Sequence, residues 1–171
     1  MMMRMLAAGG IEPLTDGLRA ADRDNPHGYF EFEPVKRTRD DPSWVPQAVG
    51  RAVKLVHLLL RDLPEGYEYR VVLMRRRLDE MVASQRRMLE RLGRDPGTLS
   101  DERRQQIFAA QLDETERWLS AQPGFRFERV DYNALVADPK PHLERVSAFL
   151  GGLDVAAMAA VIDPDLYRNR V

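Results

Sequence analysis

Apolar residues along this chain recur with two different spacings, and each spacing marks a different kind of element. Residues 1 to 8 are apolar except for Arg4 and run into Gly9-Gly10, a pair of glycines that ends a helix. Leu78, Met81, Val82, Met88, Leu89 and Leu92 form the stripe of an amphipathic helix, closed by Gly93 and Asp95-Pro96-Gly97. Ser100 caps a second long helix that runs to Ala121, with Phe108, Leu112, Thr115 and Leu119 on one face. Pro141 to Leu150 places Leu143, Val146, Phe149 and Leu150 on a buried side and stops at Gly151. A last short helix covers about 155 to 161. Three strands are predicted as well. Ala52 to Val56 is short and β-branched, Tyr67 to Met74 ends in the continuous apolar run of a buried parallel strand, and Phe125 to Val130 alternates with a period near two. Leu58 to Leu63 reads as one or two helical turns, closed by Pro64-Glu65-Gly66. Strands alternating with helices predict an α/β fold, a parallel sheet flanked by helices, in one domain over residues 1–171.

Residues 11 to 50 have a different texture. Pro13, Asp16-Gly17, Asp24-Asn25-Pro26, Gly28, Pro34, Asp41-Pro42 and Pro46 punctuate them, with Tyr29, Phe30, Phe32 and Trp44 set between. Only a short helix, about Glu33 to Arg39, is expected there. Long irregular segments of this kind in a compact domain are more often functional than not.

Composition narrows the class. The 171 residues are 44% hydrophobic and 31% charged, the balance of a globular protein and too apolar for a disordered one. No cysteine is present, which excludes disulfides, thiolate catalysis and sulfur-built zinc sites. With 26 basic against 27 acidic residues the formal charge is −1, which speaks against a nucleic-acid partner read from global charge. His27, His57 and His142 are far apart and show no metal-ligand spacing, so no metal is expected. The apolar runs at 1–8 and 55–60 are too short for a spanning helix or a leader peptide, and the expected compartment is the cytoplasm, with no membrane partner.

Candidate chemistry gathers at predicted strand ends. Arg75-Arg76-Arg77 stands at the carboxyl end of the second strand, where ligands of open α/β sheets bind. Guanidinium forks match phosphate oxygens, and Ser84, eight residues after Arg76, lies on the helix that follows. The other role open to this turn is a solvated basic corner that pairs with Asp79 and Glu80. In Gly28-Tyr29-Phe30-Glu31-Phe32-Glu33, Glu31 beside an apolar surface has the setting of a general base, and an edge segment with its acids outward is the alternative. Lys54 and His57 sit at or past the first strand, positions for a base or a phosphate contact, or for a packed histidine. Tyr132 closes the third strand and is placed to stack on a base or sugar, or to serve as core. No G-x-x-x-x-G-K-[ST] and no G-x-G-x-x-G occurs, so a Gly-rich phosphate cradle is missing from this nucleotide-shaped pattern.

Four stretches resemble the bacterial PAPS-dependent sulfotransferases, which share the P-loop kinase-like fold. They are Met2 to Gly10 with Gly28 to Val35, Tyr69 to Gln85, Tyr132 to Gly151, and Asp163 to Arg168. The resemblance implies that Arg76 and Ser84 bind the 3′-phosphate of PAPS, that Tyr132 contacts the cofactor near its adenine, and that Glu31 occupies the segment of the catalytic base. His57 matches the family's histidine base loosely, being one residue further from Lys54. The family begins with a strand and a phosphosulfate-binding loop that this sequence does not contain. The expectation is therefore a sulfotransferase-like domain lacking the first strand and P-loop, from a truncated gene start, with a genuine short protein that has lost transfer chemistry as the alternative. In full-length form it would move a sulfuryl group from PAPS to a hydroxyl or amine acceptor, while these 171 residues alone are expected to be inactive. A non-catalytic nucleotide-binding or protein-interaction module, and a kinase of the same superfamily, are the alternatives.

Overall fold

The computed structural model describes residues 1–22, 25–95 and 97–163. Asp24 and Pro96 of the predicted turns, and most of the Asp163 to Arg168 stretch, lie outside the described residues. In chain order the elements are α1 (Met2–Ala8), β1 (Tyr69–Arg75), α2 (Leu78–Arg91), α3 (Asp101–Ala121), β2 (Phe125–Asp131), α4 (Tyr132–Ala137), α5 (Pro139–Leu150) and α6 (Val155–Ala160), with 3₁₀ turns at Glu33–Arg37, Val45–Ala48 and His57–Asp62. They form two compact units, Met1–Glu68 with Leu143–Ile162, and Tyr69–His142 with Asp163. Among the described residues no helix is long and apolar enough to cross a membrane.

In the first unit α1 buries Met2, Met5 and Leu6 and packs on α6. The two glycines after α1 do different work. A Cβ on Gly9 would lie 2.8 Å from Met158 Cγ, so close packing requires glycine there, whereas Gly10 has φ +108° and turns the chain. Ser147 in α5 closes the link to α6, since its hydroxyl donates to Leu153 O (2.9 Å) and accepts from Leu153 N (2.7 Å). Leu14, Val35, Trp44 and Val45 form a core joined by Phe32, Leu59 and Tyr67. Trp44 donates its indole N–H to Thr38 Oγ1 (3.2 Å), and its ring meets Phe32 edge-on at 5.8 Å. Trp44 of the aromatic segment is therefore core, with Phe32 packed partly buried against it.

The strand predicted at Ala52 to Val56 does not form. Ala52 makes one parallel bridge to Pro13, through Leu14 N to Ala52 O (2.8 Å) and Ala52 N to Glu12 O (2.9 Å). Proline has no N–H to extend the ladder, so a β-branched run without a partner edge stays an irregular extended segment. Lys54 and His57 thus do not stand at a strand end.

Segment 15–18 clamps segment 31–33. Asp16 Oδ2 accepts from Glu33 N (2.6 Å) and its Oδ1 from Leu18 N (3.0 Å). These amides, Glu33 first, hold the Asp16 carboxyl below its usual range. A carboxyl depressed in the folded state adds stability above its unfolded pKa, about 3.9, and loses that contribution as pH falls through the folded value. Asp16→Ala should therefore be less stable than the parent in urea at pH 7, with the gap closing as pH drops below 4. A gap that stays constant with pH would contradict this.

The second unit holds a two-stranded parallel sheet with flanking helices. β1 and β2 run from Tyr69 opposite Phe125 to Arg75 opposite Asp131. Parallel neighbours need a long crossover, supplied here by α2 and α3. Tyr69 stacks on Phe125 at 4.6 Å, and Trp118 of α3 meets Phe125 edge-on at 5.0 Å. The predicted face of α3 is largely the buried one, with Leu112, Thr115 and Leu119 inward, and Ser100 caps it by accepting from Arg103 N. Where β2 ends, Asp131 accepts from Ala134 N (2.9 Å) and starts α4, which was not foreseen. Tyr132 is accordingly the first residue of a helix and does not close the strand.

Candidate functional site

The parallel register creates the site. Because Arg75 lies across from Asp131, the next residue of each chain segment, Arg76 and Tyr132, leaves the sheet at the same carboxyl end. The Arg76 guanidinium carbon sits 4.9 Å from the centroid of the Tyr132 ring, a cation–π distance. Burial raises the Tyr132 phenol above its usual range, with the Arg76 charge opposing that rise and the Glu80 charge adding to it.

The three consecutive arginines do not act together. Arg75 turns to α3, where Asp113 (3.2 Å) and Glu116 (2.9 Å) take it, and Glu116 also accepts from Arg129. Arg77 is exposed and pairs with Asp79 at 2.6 Å. Arg76 donates its Nε–H to Glu80 Oε2 at 3.0 Å. Both ion pairs proposed for a basic corner therefore form. One of them departs from a solvated corner: the Glu80 side chain is 0% exposed and that of Arg76 only 25%.

Glu80 is the residue whose importance the sequence concealed. Its second oxygen, Oε1, accepts from Asn133 Nδ2 (3.0 Å), and Asn133 Oδ1 accepts from the backbone N–H of Arg77 (3.1 Å). Asn133 was not foreseen either. The available signal was spacing, since Glu80 stands four residues after Arg76 and Asn133 directly follows Tyr132. Ser84 lies one further turn along α2, on the same helix face as Glu80, half-buried.

Glu31 and His57 belong to the first unit. Glu31 Oε1 takes Arg19 Nη1 at 3.0 Å and Lys54 Nζ at 3.5 Å. Lys54 also donates to Tyr29 O (3.0 Å), Arg19 lies over the Tyr29 ring at 3.4 Å, and the Tyr29 hydroxyl donates to Asp22 (2.7 Å). Between the pinned residues Tyr29 and Glu31, Phe30 adopts φ +51°, a left-handed conformation that is rare for a bulky side chain. His57 opens its 3₁₀ turn, half-buried. His142 is half-buried in α5. Among the described residues no cluster of three histidine, cysteine or acidic side chains is placed to hold a metal ion.

A comparison of the chain with known protein families, with curated proteins and with solved structures finds no match.

Proposed function

We propose that the carboxyl end of the two-stranded sheet binds the 3′-phosphate of a 3′-phosphoadenosine nucleotide, and that the chain is a sulfotransferase-like domain of the P-loop kinase-like class. The contact between Arg76 and Tyr132 carries this reading. The two residues are 56 positions apart in sequence, and they meet at the sheet end where α/β folds bind ligands. A guanidinium fixed on an aromatic face keeps its charge while losing little freedom on binding. A phosphate arriving there shares Arg76 with Glu80.

PAPS would supply the sulfuryl group. Arg76 and Ser84 would hold its 3′-phosphate, with Tyr132 beside the nucleoside. Glu31 and His57 are the residues proposed to take the acceptor's proton. Glu31 pairs through its Oε1 with Arg19 and Lys54. The 171 residues contain no Gly-rich phosphate loop, and the backbone amides that stabilise charge on a transferring group are not supplied by any motif in them.

The test is a calorimetric titration of the 171-residue protein with 3′,5′-ADP and with 5′-AMP. The expected outcome is a preference of roughly tenfold or more for 3′,5′-ADP, the worth of one charge-assisted contact. Equal affinities, or no binding of either, would overturn the assignment.

A further inference from the structure

We infer that Glu80 and Asn133 are positioning residues that aim Arg76 at the 3′-phosphate, an inference that rests on the reading of this sheet end as a nucleotide site. The donors converge on the Glu80 carboxylate. The Arg77 backbone N–H donates to Asn133 Oδ1, Asn133 Nδ2 donates to Glu80 Oε1, and Arg76 Nε donates to Glu80 Oε2. Glu80 offers one oxygen to each of these two donors, and the Asn133 amide accepts from Arg77 while it donates to Glu80. The network ties the start of α4 to the turn between β1 and α2. It also fixes the edge of the guanidinium at Nε, while the Tyr132 ring supports its face at 4.9 Å. A planar fork held by edge and face has one orientation, and bidentate recognition of a phosphate depends on orientation.

The experiment compares affinities for 3′,5′-ADP and 5′-AMP in the parent and in Asn133→Ala, with Asn133→Ser and Glu80→Gln as further variants and circular dichroism as the check on folding. The readout is the ratio of the two affinities. General loosening of the fold weakens both nucleotides alike and leaves that ratio unmoved. The expected result is that Asn133→Ala and Glu80→Gln lower the ratio about fivefold while affinity for 5′-AMP is kept, with Asn133→Ser between them and the parent. A parent-like ratio in the folded variants, or a proportional loss of both affinities, would overturn the positioning role and leave the nucleotide site standing. A parent protein that does not distinguish the two nucleotides would overturn the site and the positioning role together.

Discussion

Glu80→Ala should lower stability by about 3 kcal/mol, the largest single-residue effect expected in the second unit. Its carboxylate is completely buried and satisfies Arg76 and Asn133 together. Removing one partner of a buried pair leaves the other charge in a medium that solvates it poorly, at a cost of about 3–5 kcal/mol. The lower end applies because Arg76 is a quarter exposed and can turn part of its charge to water. Asn133 loses its acceptor in the same step. Urea unfolding followed by circular dichroism measures the difference, and a loss under about 1 kcal/mol would show that the pair is solvated in practice.

Arg76→Ala should remove the preference for 3′,5′-ADP over 5′-AMP, a loss of about 1.5–3 kcal/mol, or roughly tenfold to a hundredfold in affinity. The substitution deletes the cation that would face the phosphate, and affinity for 5′-AMP should change little. Glu80 keeps Asn133 as a donor, so the site does not lose every contact to the buried carboxylate. Arg76→Lys gives an intermediate result, since lysine restores the charge without the planar fork or its seat on Tyr132. Titration of the three proteins with both nucleotides distinguishes these outcomes. Undiminished preference in Arg76→Ala would assign the phosphate contact elsewhere.

The long helices were legible because a 3.6-residue stripe and a cap identify them without knowledge of the rest of the fold. α2 and α3 follow from Leu78, Met81 and Val82 and from Ser100 in that way. Strands depend on neighbours. Val53 and Val56 have the side chains of a strand, but the segment met Pro13 and could not extend its ladder. The six-residue α4 was hidden because Asp131 looks like the last residue of a strand until its side chain is seen to accept from Ala134 N. Arg76 and Tyr132 were readable as strand-end residues, and only the register of β1 on β2 shows that the two ends coincide. Glu80 was unreadable as a buried group. An acid in the first turn of a helix is ordinarily explained by the helix dipole and solvent, and its partner Asn133 lies 53 residues away. The cations that pair with Glu31, Arg19 and Lys54, were not legible for the related reason that they come from elsewhere in the chain.

Side-chain ¹⁵N NMR of the Arg76 Nε–H during addition of 3′,5′-ADP and, separately, of 5′-AMP tests the central claim most directly. The Arg76 resonance should shift on adding 3′,5′-ADP and remain in place with 5′-AMP, while Arg75, held by Asp113 and Glu116, stays unmoved with both. An Arg76 resonance that is indifferent to the 3′-phosphate, while another site on the protein responds, would contradict the account.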